Sequence, residues 1–212
     1  MSSIVLTADT LLGTTPTIGS VEFDGKAFYA TAQGTQRGII PGAQFFRLNS
    51  DLVGANVTTA QNTFGVTVTL STSTIYAFEQ YAVLAKTVGA TAHILSAGFG
   101  GSATINNILC TAAVPYAGAV LPASFSALSG NVYGSVSNSA ASIGIVGTIS
   151  SAASTASVFI KGTVSINGGG TFTPQYTLSA APGGAYSTVA GSYFLIYPIG
   201  ASGANISVGA WA

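Results

Sequence analysis

The sequence predicts an all-β chain: an antiparallel β-sandwich of jelly-roll type with an N-terminal extended arm or hairpin. Two observations carry this prediction. Short segments rich in β-branched and aromatic residues repeatedly alternate apolar with small polar side chains at period two, as half-buried strands do. Clusters such as Gly100-Gly101, Gly168-Gly-Gly170, Pro182-Gly183-Gly184 and Gly200-Ala-Ser-Gly203 separate those segments with turn chemistry.

In chain order, Val21-Glu22-Phe23 and Ala27-Phe28-Tyr29 flank Asp24-Gly25, a dipeptide suited to a tight hairpin. Gly34, Gly38, Pro41 and Gly42 punctuate an extended link, and Gln44 to Leu48 reads as one more short strand. These residues define an arm and docking segment over 1–55, with the jelly roll over 56–212. Within the second part, Phe64-Gly-Val66-Thr-Val68-Thr-Leu70 alternates as a strand should. Ile75 to Ala85 places Tyr76, Phe78, Tyr81 and Val83 at spacings that also suit a helix, but its β-branched and aromatic content favours a long strand. Further strands are expected at 92–99, 103–111, 131–136, 143–149, 157–166, 172–178, 192–197 and 206–211. Roughly eight to ten short strands argue for a sandwich rather than a parallel α/β sheet. Residues 117–157, rich in Ala, Ser and Gly, are also compatible with a helix or linker.

Hydrophobic residues make up 48% of the 212, yet only 5% are charged, where about a quarter is usual. A 21.0 kDa monomer exposing roughly 9,000 Å² has on the order of 900 Å² of surface per charge. Net charge is zero. Sparse, balanced charge protects poorly against association, so much of the surface is expected to be covered in use. Asp9, Glu22, Asp24, Lys26, Arg37, Arg47, Asp51 and Glu79 all precede residue 80, whereas Lys161 is the single formal charge from Thr87 to Ala212. The arm is therefore expected to make polar docking contacts and the neutral domain to pack against other subunits.

Scattered Lys26, Arg37, Arg47, Lys86 and Lys161 form no basic run, so no nucleic-acid binding is expected. Apolar runs are too short for a spanning helix, and regular ten-residue barrel strands are missing, so no membrane insertion is expected. The N-terminus has no basic region before an apolar stretch, which predicts cytoplasmic synthesis. Cys110, the single cysteine, lies in the apolar run Ile108-Leu109-Cys110 and reads as a small buried hydrophobe.

No catalytic, cofactor or metal site is expected. His93 is the single histidine and sits in a strand-like context that suits a hydrogen-bonded structural role. Glu22 with Asp24 is the nearest approach to a carboxylate pair and suits a hairpin tip. No Gly-x-Ser-x-Gly elbow flanked by strand and helix, and no phosphate-binding loop, is present. Asn56-Val57-Thr58 and Asn205-Ile206-Ser207 match the glycosylation sequon, which matters only on export. Glycan binding needs no formal charge, and Trp211, Tyr193, Tyr197, Tyr186 and Tyr133 could serve as sugar platforms, although packing is the commoner use of such aromatics.

Two regions resemble a known family. The first is Val21-Glu-Phe-Asp-Gly-Lys-Ala-Phe-Tyr29 with Gln36 to Pro41 and Leu48-Asn49-Ser50. The second comprises Thr74 to Tyr81, Lys86 to His93, Gly170 to Tyr176 and Ser192 to Gly200. Both resemble virion structural proteins of tailed bacteriophages built on a trimeric jelly roll similar to complement and tumour-necrosis-factor heads. The resemblance implies a homotrimer in the virion whose arm docks on the major capsid protein or another virion protein. It implies no functional side chains, since the family is defined by packing. The expected function is capsid decoration or cement, stabilising the shell by trimeric packing across capsomers. The alternative is a tail-fibre or spike head binding a host surface glycan. A bacterial adhesin or surface-layer module and a hydrolase using His93 rank below both.

Overall fold

The computed structural model describes residues 16–34, 36–113, 116–117, 134–141 and 143–206. Within them the chain is all-β and its strands pair antiparallel. In chain order these are β1 (Val21–Phe23), β2 (Phe28–Gln33), β3 (Gln36–Ile40), β4 (Gln44–Arg47), β5 (Leu52–Val53), β6 (Gln61–Asn62), β7 (Val68–Leu70), β8 (Thr74–Lys86) and β9 (His93–Gly100). They continue with β10 (Thr104–Ala113), β11 (Tyr116–Ala117), β12 (Gly134–Ser137), β13 (Gly144–Ile149), β14 (Ser154–Gly168), β15 (Gly170–Leu178), β16 (Ser187–Thr188) and β17 (Tyr193–Ala201).

The two long sheets form a sandwich. The larger runs β12, β10, β14, β8, then β17 with β16, then β4 with β5 at the edge, and β11 extends the β10 column along β14. The smaller runs β13, β9, β15, with β6 and β7 side by side on the far edge of β15. Between them lies a continuous core centred on five phenylalanines, Phe64, Phe78, Phe99, Phe172 and Phe194. Phe99 stacks on Phe172 at 4.5 Å, and Phe78 meets Phe99 edge-on at 5.0 Å, the offset geometries aromatic pairs favour.

The segment 75–85, which periodicity leaves open between helix and strand, is a strand that extends to Thr74–Lys86. Its ladder with β14 is unbroken from Ser154↔Lys86 to Ile166↔Thr74, and β17 and β16 occupy its other side. Tyr76, Phe78, Gln80, Ala82 and Leu84 point into the core while Ile75, Ala77, Glu79, Tyr81 and Val83 point out. A central strand bonded on both sides satisfies most of its backbone groups, which outweighs the helix propensity of its Ala, Gln, Glu and Lys residues.

The expected strand over 64–70 is shorter, because Gly65 adopts a left-handed backbone (φ 71°). Phe64 is consequently buried in the core and Val66 exposed, where unbroken alternation would put both on one face. The stretch 34–42, read as an extended link, contains β3, which pairs with β2 from Phe28↔Ile40 to Gln33↔Gln36. With β1 these strands make a separate three-stranded sheet. At its hairpin, Asp24 Oδ1 accepts from the amides of Lys26 and Ala27 at 2.8 and 2.7 Å, an Asx turn completed by Gly25 (φ 85°). Residues 44–53 belong to the edge of the large sheet, through Phe46↔Phe194 and Val53↔Ser187. The expected strand at 131–136 is described from Gly134 on, and most of that at 206–211 lies outside the described residues.

Candidate functional site

Outward-pointing side chains of the large sheet line up in rows set by strand register. One row runs Arg47, Tyr193, Tyr81, Phe159 and Ala113 across β4, β17, β8, β14 and β10. Below it lie Phe45, Leu195, Glu79, Lys161 and Thr111, and then Tyr197, Ala77, Thr163 and Leu109. Phe45 is 59% exposed, Leu109 57%, Tyr81 38% and Phe159 37%. Tyr193 holds the aromatic rows together, stacked on Phe45 at 5.5 Å and tilted against Tyr81 at 6.1 Å. At about 200 Å² per aromatic side chain, Phe45, Tyr81 and Phe159 together expose on the order of 270 Å². Adding Leu109 and the half-buried Leu195 and Tyr197 takes the patch into the range of the largest on ordinary monomers, which are often functional.

The charged groups at the centre of this face are joined to one another. Tyr193 donates to Glu79 Oε1 at 2.5 Å, and Lys161 Nζ lies 3.7 Å from Glu79 Oε2. That hydrogen bond and the burial around it hold the Tyr193 hydroxyl above its ordinary range. Beyond β4 the face rounds into a cavity of about 370 Å³ at the open edge of the sandwich, lined by Phe45, Phe46, Val66, Val68, Pro174 and Ile196 among others.

The residues singled out from sequence occupy other places. His93 is buried at one end of the sandwich. Its Nδ1 donates to the Thr91 carbonyl at 2.7 Å, since a carbonyl can only accept, and its Nε2 lies 2.8 Å from Tyr186 Oη. Ser154 Oγ is 3.1 Å from the same Tyr186 oxygen. Beside them Lys86 Nζ donates to the carbonyls of Gly89, Ser151 and Ala152 at 2.6, 2.5 and 3.0 Å and lies 5.8 Å from the Tyr186 ring. Burial lowers the Lys86 pKa. This network ties three loops to the sandwich end and is closed to solvent, with Tyr186 at 0% exposure.

Cys110 is buried, as its apolar run predicts, and burial pushes its thiol up. Glu22 takes a bidentate contact from Arg37 (2.7 and 3.1 Å), and Asp24 caps the hairpin and accepts from Tyr29 Oη at 2.9 Å. Asn56 Oδ1 accepts from the Gly183 amide at 3.0 Å. Of the five aromatic platform candidates, Tyr193 and Tyr197 lie on the large-sheet face, Tyr186 is buried, and Tyr133 and Trp211 lie outside the described residues. Sequence reading missed Phe45, Tyr81, Leu109 and Phe159 as one surface, because they come from four strands far apart in the chain. The signal available was that strands β8, β14 and β17 carry large apolar residues at both odd and even positions. Comparison of the chain with protein-family models, with curated proteins and with solved structures finds no match.

Proposed function

We propose that this protein is a structural subunit of a bacteriophage virion, a decoration or cement protein that works as a homotrimer. The observation that carries the reading is the aromatic outer face of the large sheet, which costs free energy while it faces water and repays burial at about 25 cal/mol per Å². A chain with 5% charged residues has little to keep such a face apart from other copies. In this reading the face packs subunits together, and the small sheet of β1 to β3 docks the assembly on the shell. That sheet holds Glu22, Asp24, Lys26 and Arg37, a denser set of charges than the sandwich carries. The virion setting comes from the family resemblance.

The test is binding of purified protein to capsids that lack it, followed by heating and by electron microscopy of labelled protein on the particle. Added protein is expected to coat the shell and raise the temperature at which it opens. A chain starting at Ala43 keeps β4 and is expected to associate with itself but no longer attach. Absence of binding to such shells, with unchanged heat tolerance of virions lacking the protein, would end this reading. Loss of glycan-array binding on Tyr193→Ala or Tyr197→Ala, with the fold intact, would replace it with the fibre-head alternative.

A further inference from the structure

Lys161 is the single formal charge in the last 126 residues, and the fold places it in the middle of the aromatic face. On β14 it lies opposite Glu79 of β8 on one side and Thr111 of β10 on the other. The rows on either side of it contain no Asp or Glu, and Arg47 at the rim is their one further charge. The Lys161 side chain is 68% exposed and that of Glu79 26%, and their charged atoms stand 3.7 Å apart. Lysine therefore projects out of the face, with Glu79 anchored beneath by the Tyr193 hydroxyl. Within one chain such an exposed pair contributes little, because water screens it and the lysine stem is mobile.

We propose that Glu79 and Lys161 set the register of contact between copies of this chain, Lys161 of one copy meeting Glu79 of a second copy when the large-sheet faces pack. The inference rests on the reading of that face as an assembly surface and names what covers it. Charge selects the occupant: one acid and one base at the centre of an otherwise apolar patch complement themselves, and offer nothing to a strongly charged partner. Area agrees with it. The paired residues of the five strands opposite Ile75 to Val83, at about 4.8 Å between strands and about 3.3 Å per residue, give a face of roughly 570 Å², near the low end of the ~600–1,000 Å² each partner gives to a stable interface. Covering the face removes water, so the charges interact more strongly, and a slipped register that sets like against like is penalised.

The experiment is sedimentation equilibrium on full-length K161E, E79K, their equimolar mixture and the E79K/K161E double variant, with thermal unfolding to verify that each folds. K161E has two acids at the centre and E79K two bases, so each alone is expected to self-associate about 100-fold more weakly than the unaltered chain. The double variant is expected to recover most of that loss; the mixture recovers as much in a two-fold pair and only part of it in a three-fold ring, where one of three contacts still sets like against like. Recovery in the mixture cannot come from a pair within one chain, and its stoichiometry separates two-fold from three-fold packing. A mixture that associates no better than its components, or single variants that associate like the unaltered chain, overturns the inference. If the unaltered chain stays monomeric while Tyr81→Glu with Phe159→Glu abolishes binding to capsids, contact between copies is refuted and the face remains an assembly surface. If those substitutions also leave capsid binding unchanged, both readings fall.

Discussion

The two outer faces of the sandwich are built on the same pleat and differ in what their outward residues do with water. On the small sheet, β15 turns out Thr171, Thr173, Gln175 and Thr177, with Ser96 of β9 opposite Thr177 and Thr69 of β7 opposite Thr171. These hydroxyls bond within the surface: Thr173 Oγ1 lies 2.6 Å from Thr67 Oγ1, and Thr171 Oγ1 accepts from the Ser102 amide at 2.9 Å. On the large sheet the equivalent positions are Phe45, Tyr193, Tyr81 and Phe159. Among the described residues, the first face bonds its polar groups within the surface and the second exposes a contiguous apolar row. Ile94, on the small sheet, is 38% exposed, the same as Tyr81, but the side chain bonded beside it is the Ser179 hydroxyl, which accepts from its amide at 2.8 Å, instead of an aromatic ring. An isolated exposed apolar residue is normal, whereas a contiguous patch calls for a partner.

The largest expected effect comes from the layer both faces share. Phe172→Ala removes a ring in contact with Phe78, Phe99 and Phe194 and is expected to cost about 3–5 kcal/mol, read as a lowered denaturation midpoint. Because it loosens both sheets, it should weaken assembly only through unfolding. Tyr81→Glu with Phe159→Glu separates the faces. Self-association should fall by about 100-fold or more with the melting temperature nearly unchanged, whereas Gln175→Glu with Thr177→Glu on the other face should alter neither. Equal effects from the two pairs in sedimentation would erase the distinction.

Alkaline pH probes the structure beneath the faces. Burial and the Asp24 hydrogen bond push Tyr29 up to about 12, and burial, with Tyr186 nearby, pushes Tyr176 to about 12. Both are raised above the ordinary value of 10.0, so their contribution is fully present below pH 10 and is lost as pH rises from 10 to 12. Each contribution is on the order of 2–3 kcal/mol over that window. Urea unfolding from pH 9 to 12 should show the fall, and Tyr176→Phe should flatten the part belonging to the sandwich. The smallest effect is expected in the β1 to β3 sheet, where Glu22→Gln weakens the partly exposed Arg37 pair by about 0.5–1 kcal/mol. Added salt should reduce the difference.

The sandwich was legible strand by strand because period two survives in most segments. Phe172 to Leu178 lies within β15, and Ser192 to Tyr197 overlaps β17, which starts one residue later at Tyr193 and runs on to Ala201. The strand at 64–70 was misjudged because a single φ at Gly65 decides it, and a glycine in a strand pattern is silent about which side of the map it occupies. Strand β3 was hidden by Gly34, Gly38 and Pro41, whose turn chemistry masks the alternation of Arg37 and Ile39. The charge partition singles out Lys161, but its meeting with Glu79 depends on which strands are neighbours, a long-range choice that local pattern does not encode. The same holds for the aromatic face as a whole.

Hydroxyl-radical footprinting of the assembled protein beside the monomeric Tyr81→Glu/Phe159→Glu variant tests the central claim most directly. The account predicts that Phe45, Leu109 and Tyr193 oxidise several-fold more slowly in the assembly while Ile94 oxidises equally in both. Equal oxidation of Phe45, Leu109 and Tyr193 in the two samples, or protection of Ile94 instead, would contradict it.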